Sequence, residues 1–85
     1  MEIRMTDVDV AKWLYDEIIR RKWVDQGIAV VDILSKFGKN YVYYNENGNL
    51  AISKSVLKEF TKLKKNMPTG KIEWDRSDRS WMYQP

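Results

Sequence analysis

The absence of both cysteine and histidine is the feature that most limits what this chain can fold into and do. Disulfides, Cys/His zinc sites, thiol nucleophiles and imidazole acid–base chemistry are all excluded. A chain of 85 residues also buries a smaller share of its surface than a large protein, so its core needs large side chains. Four Trp, five Tyr and two Phe supply them. The sequence therefore predicts a single domain over residues 1–85 with an aromatic core.

The first ten residues, MEIRMTDVDV, carry an early acidic residue and no apolar run. A signal peptide needs a basic start followed by an apolar stretch, and a membrane span needs about 20 apolar residues. We therefore expect an intracellular, cytoplasmic protein with no membrane segment.

Two segments have the sequence pattern of well-defined helices. The first begins at Thr6, whose hydroxyl can accept from the first free amides, and its apolar residues recur every four positions at Val10, Leu14 and Ile18. Another helix is predicted to begin at Ser53 and to end before residues 68–70, which contain proline and glycine. Its apolar face comprises Val56, Leu57, Phe60, Leu63 and Met67.

Between them, the segment GIAVVDILSKFG at residues 27–38 also predicts a helix. Val30, Val31, Leu34 and Phe37 have helical spacing, and Gly38 suits a left-handed cap. The β-branched residues favour a strand instead, so that alternative stays open.

The stretch YVYYNENGNLAIS at residues 41–53 predicts a strand and a turn. Residues 41–44 form a short aromatic strand, Asn47 and Gly48 tolerate the positive φ of a tight turn, and residues 50–52 return toward the third helix. A calcium loop of the EF-hand type would place its first and twelfth ligands at Tyr43 and Lys54, and neither side chain can replace a carboxylate. A structural turn is therefore favoured over a metal site.

The C-terminal segment KIEWDRSDRSWMYQ predicts a hairpin with one aromatic face. Ile72 and Trp74 alternate with acidic residues, RSDR forms the turn, and Trp81 and Tyr83 alternate on the return strand. The element order becomes helix, helix, short strand, helix, strand, strand. This α+β order is that of a winged helix, in which a helix-turn-helix core of three helices carries a C-terminal β-hairpin wing.

Several motifs resemble a family of small, functionally uncharacterised bacterial and phage proteins. These motifs are FG, the aromatic strand, NENGNLAI, VLKEFTKL and the hairpin WDRSDRSW, which together cover nearly the whole chain. The resemblance implies a winged-helix-like fold and assigns no activity or site residues. The ending MYQP replaces the more basic tail that is usual in the family.

The charge distribution points to nucleic acid as a partner. Residues 54–85 carry eight Lys or Arg against four Asp or Glu, whereas residues 1–53 carry seven against eight. The lysine stripe, defined as Lys54, Lys58, Lys62 and Lys65, follows the third helix opposite its apolar face, and Arg76 and Arg79 flank the wing tip. We expect these six residues to contact the phosphates of double-stranded DNA. The alternative is an ordinary solvated face.

Base contacts have fewer candidates on the same helix. Ser55, Thr61 and Asn66 are its only uncharged polar residues, apart from the capping serine. Lysine acts as a point charge and does not read base edges in a bidentate way, so we expect binding with little sequence preference.

A protein-interaction module that uses the aromatic surface of the hairpin is the alternative function. The residues concerned are Trp23, Tyr43, Tyr44, Trp74, Trp81 and Tyr83, and interfaces favour Trp, Tyr and Arg. Against this, tryptophans in so small a domain are expected in the core.

Catalysis is not predicted. The carboxylates of residues 7–32 are explained by helix starts and exposed helix faces, and the four glycines are too far apart for a phosphate-binding loop. We therefore expect a non-enzymatic protein with no catalytic residues, no cofactor and no metal.

Overall fold

The computed structural model describes residues 5–85, which form a small α+β protein of three helices and antiparallel strands. A 3₁₀ turn, Lys39–Tyr41, precedes the second strand. No helix in residues 5–85 is long and apolar enough to cross a bilayer. In chain order the elements are α1 (Asp7–Arg21), β1 (Trp23–Asp25), α2 (Gln26–Phe37), β2 (Val42–Tyr44), β3 (Leu50–Ile52), α3 (Lys54–Lys65), β4 (Lys71–Asp75) and β5 (Ser80–Gln84).

The predicted start of α1 is confirmed as a reciprocal capping box. The Thr6 hydroxyl accepts from the Asp9 amide at 3.3 Å, and the Asp9 carboxylate accepts from the Thr6 amide at 2.9 Å. In the last turns, the hydrogen bond from the Arg20 guanidinium holds the pKa of Glu17 below its usual value. The helix ends where Lys22 adopts a left-handed conformation with φ 73°.

The main sheet has the strand order β1-β5-β4, and both pairs are antiparallel. The sequence pattern does not predict β1, which begins at Trp23, two residues after the end of α1. The left-handed Lys22 redirects the chain, and Trp23 then lies opposite Met82 in β5. A three-residue strand has too short an alternation to be recognised locally, and here its partner is far along the chain.

A separate hairpin, β2–β3, occupies the tyrosine-rich stretch, so the predicted aromatic strand and tight turn are confirmed. The Asn45 side chain accepts from the amides of Asn47 and Asn49, both at 3.0 Å, and Gly48 has φ 77°. Two details differ from the prediction. Tyr41 belongs to the 3₁₀ turn, and the returning residues form a paired strand, with Val42 opposite Ile52.

The core lies between the helices and one face of the main sheet. Of the helices, α3 packs most extensively against α1, and its Phe60 meets Trp81 of β5 edge to face at a centroid distance of 5.6 Å. The buried apolar residues are Val10, Ala11, Leu14, Ile18, Val24, Ala29, Val30, Ile33, Ile52, Val56, Phe60, Ile72 and Trp81.

Three apolar residues depart from the expected core. Val31 of α2 is exposed, because Ala29, Val30 and Ile33 form the buried face of that helix. Trp23 is exposed because it lies opposite Met82, on the sheet face away from the buried Val24 and Trp81. Trp74 shares the face of Trp81 but is exposed on the edge strand β4, whereas Trp81 on the central strand is buried.

Gly70 connects the end of α3 to β4 and is expected to resist substitution. It has φ 74°, and a Cβ there would lie 2.7 Å from the Gln84 carbonyl oxygen. We expect Gly70→Ala to lower the free energy of unfolding by about 2–3 kcal/mol, from backbone strain and the clash together. Urea denaturation measures this loss.

Gly48→Ala is the matched control for this substitution. Gly48 has a similar φ of 77° but open space around the added carbon, so only the strain of about 1 kcal/mol applies. Equal losses at the two glycines would contradict the steric argument.

Candidate nucleic-acid interface

The lysine stripe lies where the helical spacing predicts. All four lysines are exposed on α3, whereas Val56 and Phe60 on the same helix are buried. At about 100° per residue the stripe spans an arc of about 80°. The face that packs on α1 and β5 is on the opposite side of the helix. The stripe is therefore a continuous, outward-facing basic surface.

Ion pairing leaves most of the stripe uncompensated. Lys62 Nζ lies 3.2 Å from a carboxylate oxygen of Glu59, in a solvent-exposed pair of the kind that contributes little energy. Lys54, Lys58 and Lys65 form no ion pair with any carboxylate in residues 5–85. Their positive charges are available to an anionic partner.

The polar residues proposed for base contacts are mostly engaged within α3. The Thr61 hydroxyl donates to the Leu57 carbonyl at 2.9 Å, and the Asn66 amide donates to the Lys62 carbonyl at 2.9 Å. Ser55 is exposed near the start of the helix, after Ser53, whose side chain forms no capping hydrogen bond. This helix therefore presents charge with few free groups for reading bases.

The arginine turn, residues 76–79 with Arg76 and Arg79 at its ends, joins β4 to β5. The Asp75 carboxylate accepts from the amides of Ser77 and Asp78, at 2.9 and 3.2 Å, and thereby orders the turn. Both arginines are exposed, and Arg79 adopts a left-handed conformation with φ 53°.

The arginine turn is attached to α2 and not to α3. The Gln26 amide at the start of α2 donates to the Arg79 carbonyl at 2.9 Å. Arg79 also lines a surface cavity of about 270 Å³ with Asp25 and Asp78, so acidic groups accompany it. Within the described range 5–85, no hydrogen bond or ion pair joins either arginine to α3. The structure thus assembles the four lysines and leaves the two arginines as a second basic feature.

One neighbour of the stripe was not recognised from the sequence. Tyr43 of β2 borders a shallow, open depression of the surface together with Ser53, Lys54 and Ser55. A single residue separates β3 from α3, and the Ser53 amide donates to the Tyr41 carbonyl at 2.9 Å, which holds the hairpin beside the helix. The short connection between Ile52 and Lys54 was the available signal.

Comparison with known proteins gives one family assignment. A family model described as a family of unknown function, DUF6953, matches residues 6–83. Searches of curated proteins and of solved structures each returned no match. The resemblance to an uncharacterised family is therefore confirmed at that level. Because the match covers nearly all of the chain, this protein belongs to the family of unknown function DUF6953.

Proposed function

We propose that this protein is a winged-helix domain that binds double-stranded DNA through phosphate contacts from the lysine stripe, with the arginine turn as a second contact. The element order and sheet pairing support the winged-helix assignment. The strand between the first two helices, β1, pairs with β5 of the C-terminal hairpin, so the hairpin is anchored to the helical core. This arrangement is compatible with a helix-turn-helix that carries a wing.

The observation that carries the DNA proposal is the lysine stripe itself. Four exposed ammonium groups lie on about one quarter of a helix surface, and residues 5–85 supply them with a single weak ion pair. They match the negative charge repeated along a DNA backbone. Ammonium groups neutralise phosphates without reading bases, so affinity should be sensitive to salt and tolerant of sequence.

The β2–β3 hairpin distinguishes this chain from a simple helix-turn-helix. It stands between α2 and α3, where a DNA-binding helix-turn-helix has a turn of a few residues. Because Tyr43 lies beside Lys54 at the start of the stripe, we propose that the hairpin meets the nucleic acid together with α3.

A titration of a short labelled duplex, followed by fluorescence anisotropy, tests the proposal. Each phosphate contact contributes about 0.9 to the slope of log affinity against log salt, so four lysines give a slope near −3.6. Affinity should then fall about 100-fold between about 50 mM and about 200 mM salt. The absence of binding at the lower salt, or binding insensitive to salt, would contradict it.

A second candidate, a protein-binding module, is favoured by the exposed tryptophans. Trp23 is 47 % exposed and Trp74 is 41 % exposed, on the two edge strands of the sheet. The Trp23 indole N–H donates to the Ser80 hydroxyl at 3.0 Å, which fixes the orientation of its ring. Rigid, exposed aromatic rings are typical anchors of interfaces. We propose that neither function involves catalysis or a cofactor.

A further inference from the structure

The strand β4 has a free edge. It pairs with β5 on one side, and within residues 5–85 no strand lies on its other side. In an antiparallel sheet, successive residues direct their N–H and C=O groups alternately toward one neighbour and the other. The Tyr83 amide of β5 donates to the Lys22 carbonyl at 2.8 Å, toward β1. The N–H and C=O groups of the preceding residue, Met82, therefore point toward β4, where Met82 lies opposite Glu73.

Ile72 and Trp74 consequently direct their backbone groups outward. They flank Glu73, which faces β5, so the N–H and C=O groups of both residues lie along the free edge. An edge of unpaired donors and acceptors is a template for another strand. The Trp74 side chain, 41 % exposed, adds apolar surface beside these groups.

The charges on this edge alternate in sign along one face of the strand. Lys71 and Glu73 point to the same face, and their Nζ and Oε1 atoms are 2.7 Å apart. Charged residues on an edge strand usually prevent pairing with other chains. A lysine and a glutamate two residues apart can instead favour pairing with a second copy of the same strand. In antiparallel orientation, each lysine then lies against a glutamate of the other copy.

We propose that a second copy of this chain pairs with the free edge of β4, antiparallel, with Ile72 opposite the partner's Ile72. The two isoleucines then exchange two backbone hydrogen bonds. Lys71 lies opposite the partner's Glu73, and Glu73 lies opposite the partner's Lys71, so the four charges alternate around the twofold axis.

The competing register, with Glu73 opposite the partner's Glu73, is disfavoured by charge. It would satisfy four edge hydrogen bonds through Ile72 and Trp74 but would place two carboxylates directly opposite each other, which is destabilising. The proposed register brings opposite charges together at the positions where cross-strand side chains are closest.

The proposed dimer also positions the lysine stripes. A twofold axis perpendicular to the sheet keeps equivalent faces of the two β4 strands on the same side. Because Phe60 of α3 packs on Trp81, both α3 helices lie on one face of the resulting six-stranded sheet. The dimer does not require nucleic-acid binding, so it can be measured without DNA and fails or holds independently of that proposal.

Sedimentation analysis of the full chain at increasing concentration, up to about 1 mM, tests the dimer. We expect a concentration-dependent dimer for the natural sequence. Lys71→Glu alone and Glu73→Lys alone should each weaken association about tenfold or more, because each creates two like-charge pairs in place of two opposite-charge pairs. The Lys71 side chain is mostly exposed and that of Glu73 about half exposed, so circular dichroism should confirm an unchanged fold.

The double variant Lys71→Glu/Glu73→Lys restores the alternation and should restore association. A mixture of the two single variants should also associate, because one copy then carries two glutamates and the other two lysines. Lys12→Glu, an exposed lysine on α1, is the control with the same charge change as Lys71→Glu and should leave association unchanged. A monomer at every concentration would overturn the proposal, and so would a double variant that fails to associate.

Discussion

Replacing Trp81 with alanine is expected to lower the free energy of unfolding by about 3–5 kcal/mol. Trp81 is 4 % exposed on the central strand, and its ring lies 5.6 Å from that of Phe60 and 5.0 Å from that of Trp74. The substitution removes the side chain that joins the sheet to α3 and leaves a cavity. Domains of this size have a total stability of about 5–15 kcal/mol, so the variant should be partly unfolded at moderate temperature.

Trp74→Ala is the matched control, because Trp74 lies directly opposite Trp81 in the β4–β5 pair. Its ring is 41 % exposed, so less apolar area is lost and the expected destabilisation is about 1–2 kcal/mol. Urea denaturation followed by far-ultraviolet circular dichroism measures both. If the two substitutions cost the same, Trp81 does not have the core role assigned to it.

The double variant Lys58→Glu/Lys62→Glu is expected to lose about 100-fold or more in affinity for duplex DNA at about 0.1 M salt. A slope of about 0.9 per phosphate contact corresponds to nearly a tenfold contribution from each contact at that salt, and the introduced carboxylates add repulsion. Both lysines are exposed, and the Lys62–Glu59 ion pair is weak, so the fold should be retained. Anisotropy titrations at several salt concentrations should also show a slope reduced by about 2.

Lys12→Glu/Lys36→Glu is the control for that variant, since it makes the same change in net charge at exposed positions on α1 and α2. It should retain most of the affinity, because neither lysine lies on α3. Equal losses in the two double variants would indicate that net charge alone, and not the lysine stripe, governs binding. Unchanged binding after Lys58→Glu/Lys62→Glu would exclude the stripe as the contact surface.

The elements that depend on local chemistry were predictable. Thr6 and Asp9 define the start of α1 through a capping box, and the four-residue spacing of Val10, Leu14 and Ile18 defines its buried face. The C-terminal hairpin followed from its alternation around a polar turn. In contrast, β1 is a strand because Val24 meets Trp81 from the other end of the chain, and no local pattern contains that information.

In the candidate site, too, the features set by local sequence were predictable and those set by tertiary contacts were not. The lysine stripe follows from helical periodicity on α3, and the structure retains it as one surface. The position of Arg79 depends on a backbone bond to Gln26, and the position of Tyr43 beside Lys54 depends on how the β2–β3 hairpin packs. Both are tertiary contacts between segments whose sequences show no complementarity. Sequence reasoning therefore identified the basic helix but not its surroundings.

The central position of β5 has a consequence for how the chain folds during synthesis. Within residues 5–85, both β1 and β4 pair only with β5, and residues 80–84 of β5 leave the ribosome after all the other elements in that range. The helices can form early from local contacts, but Trp23 and Trp74 have no common partner strand until these residues emerge. Closing the sheet is then a long-range step, which is slower than local helix formation. We expect a nascent chain to stay without its main sheet until β5 leaves the exit tunnel.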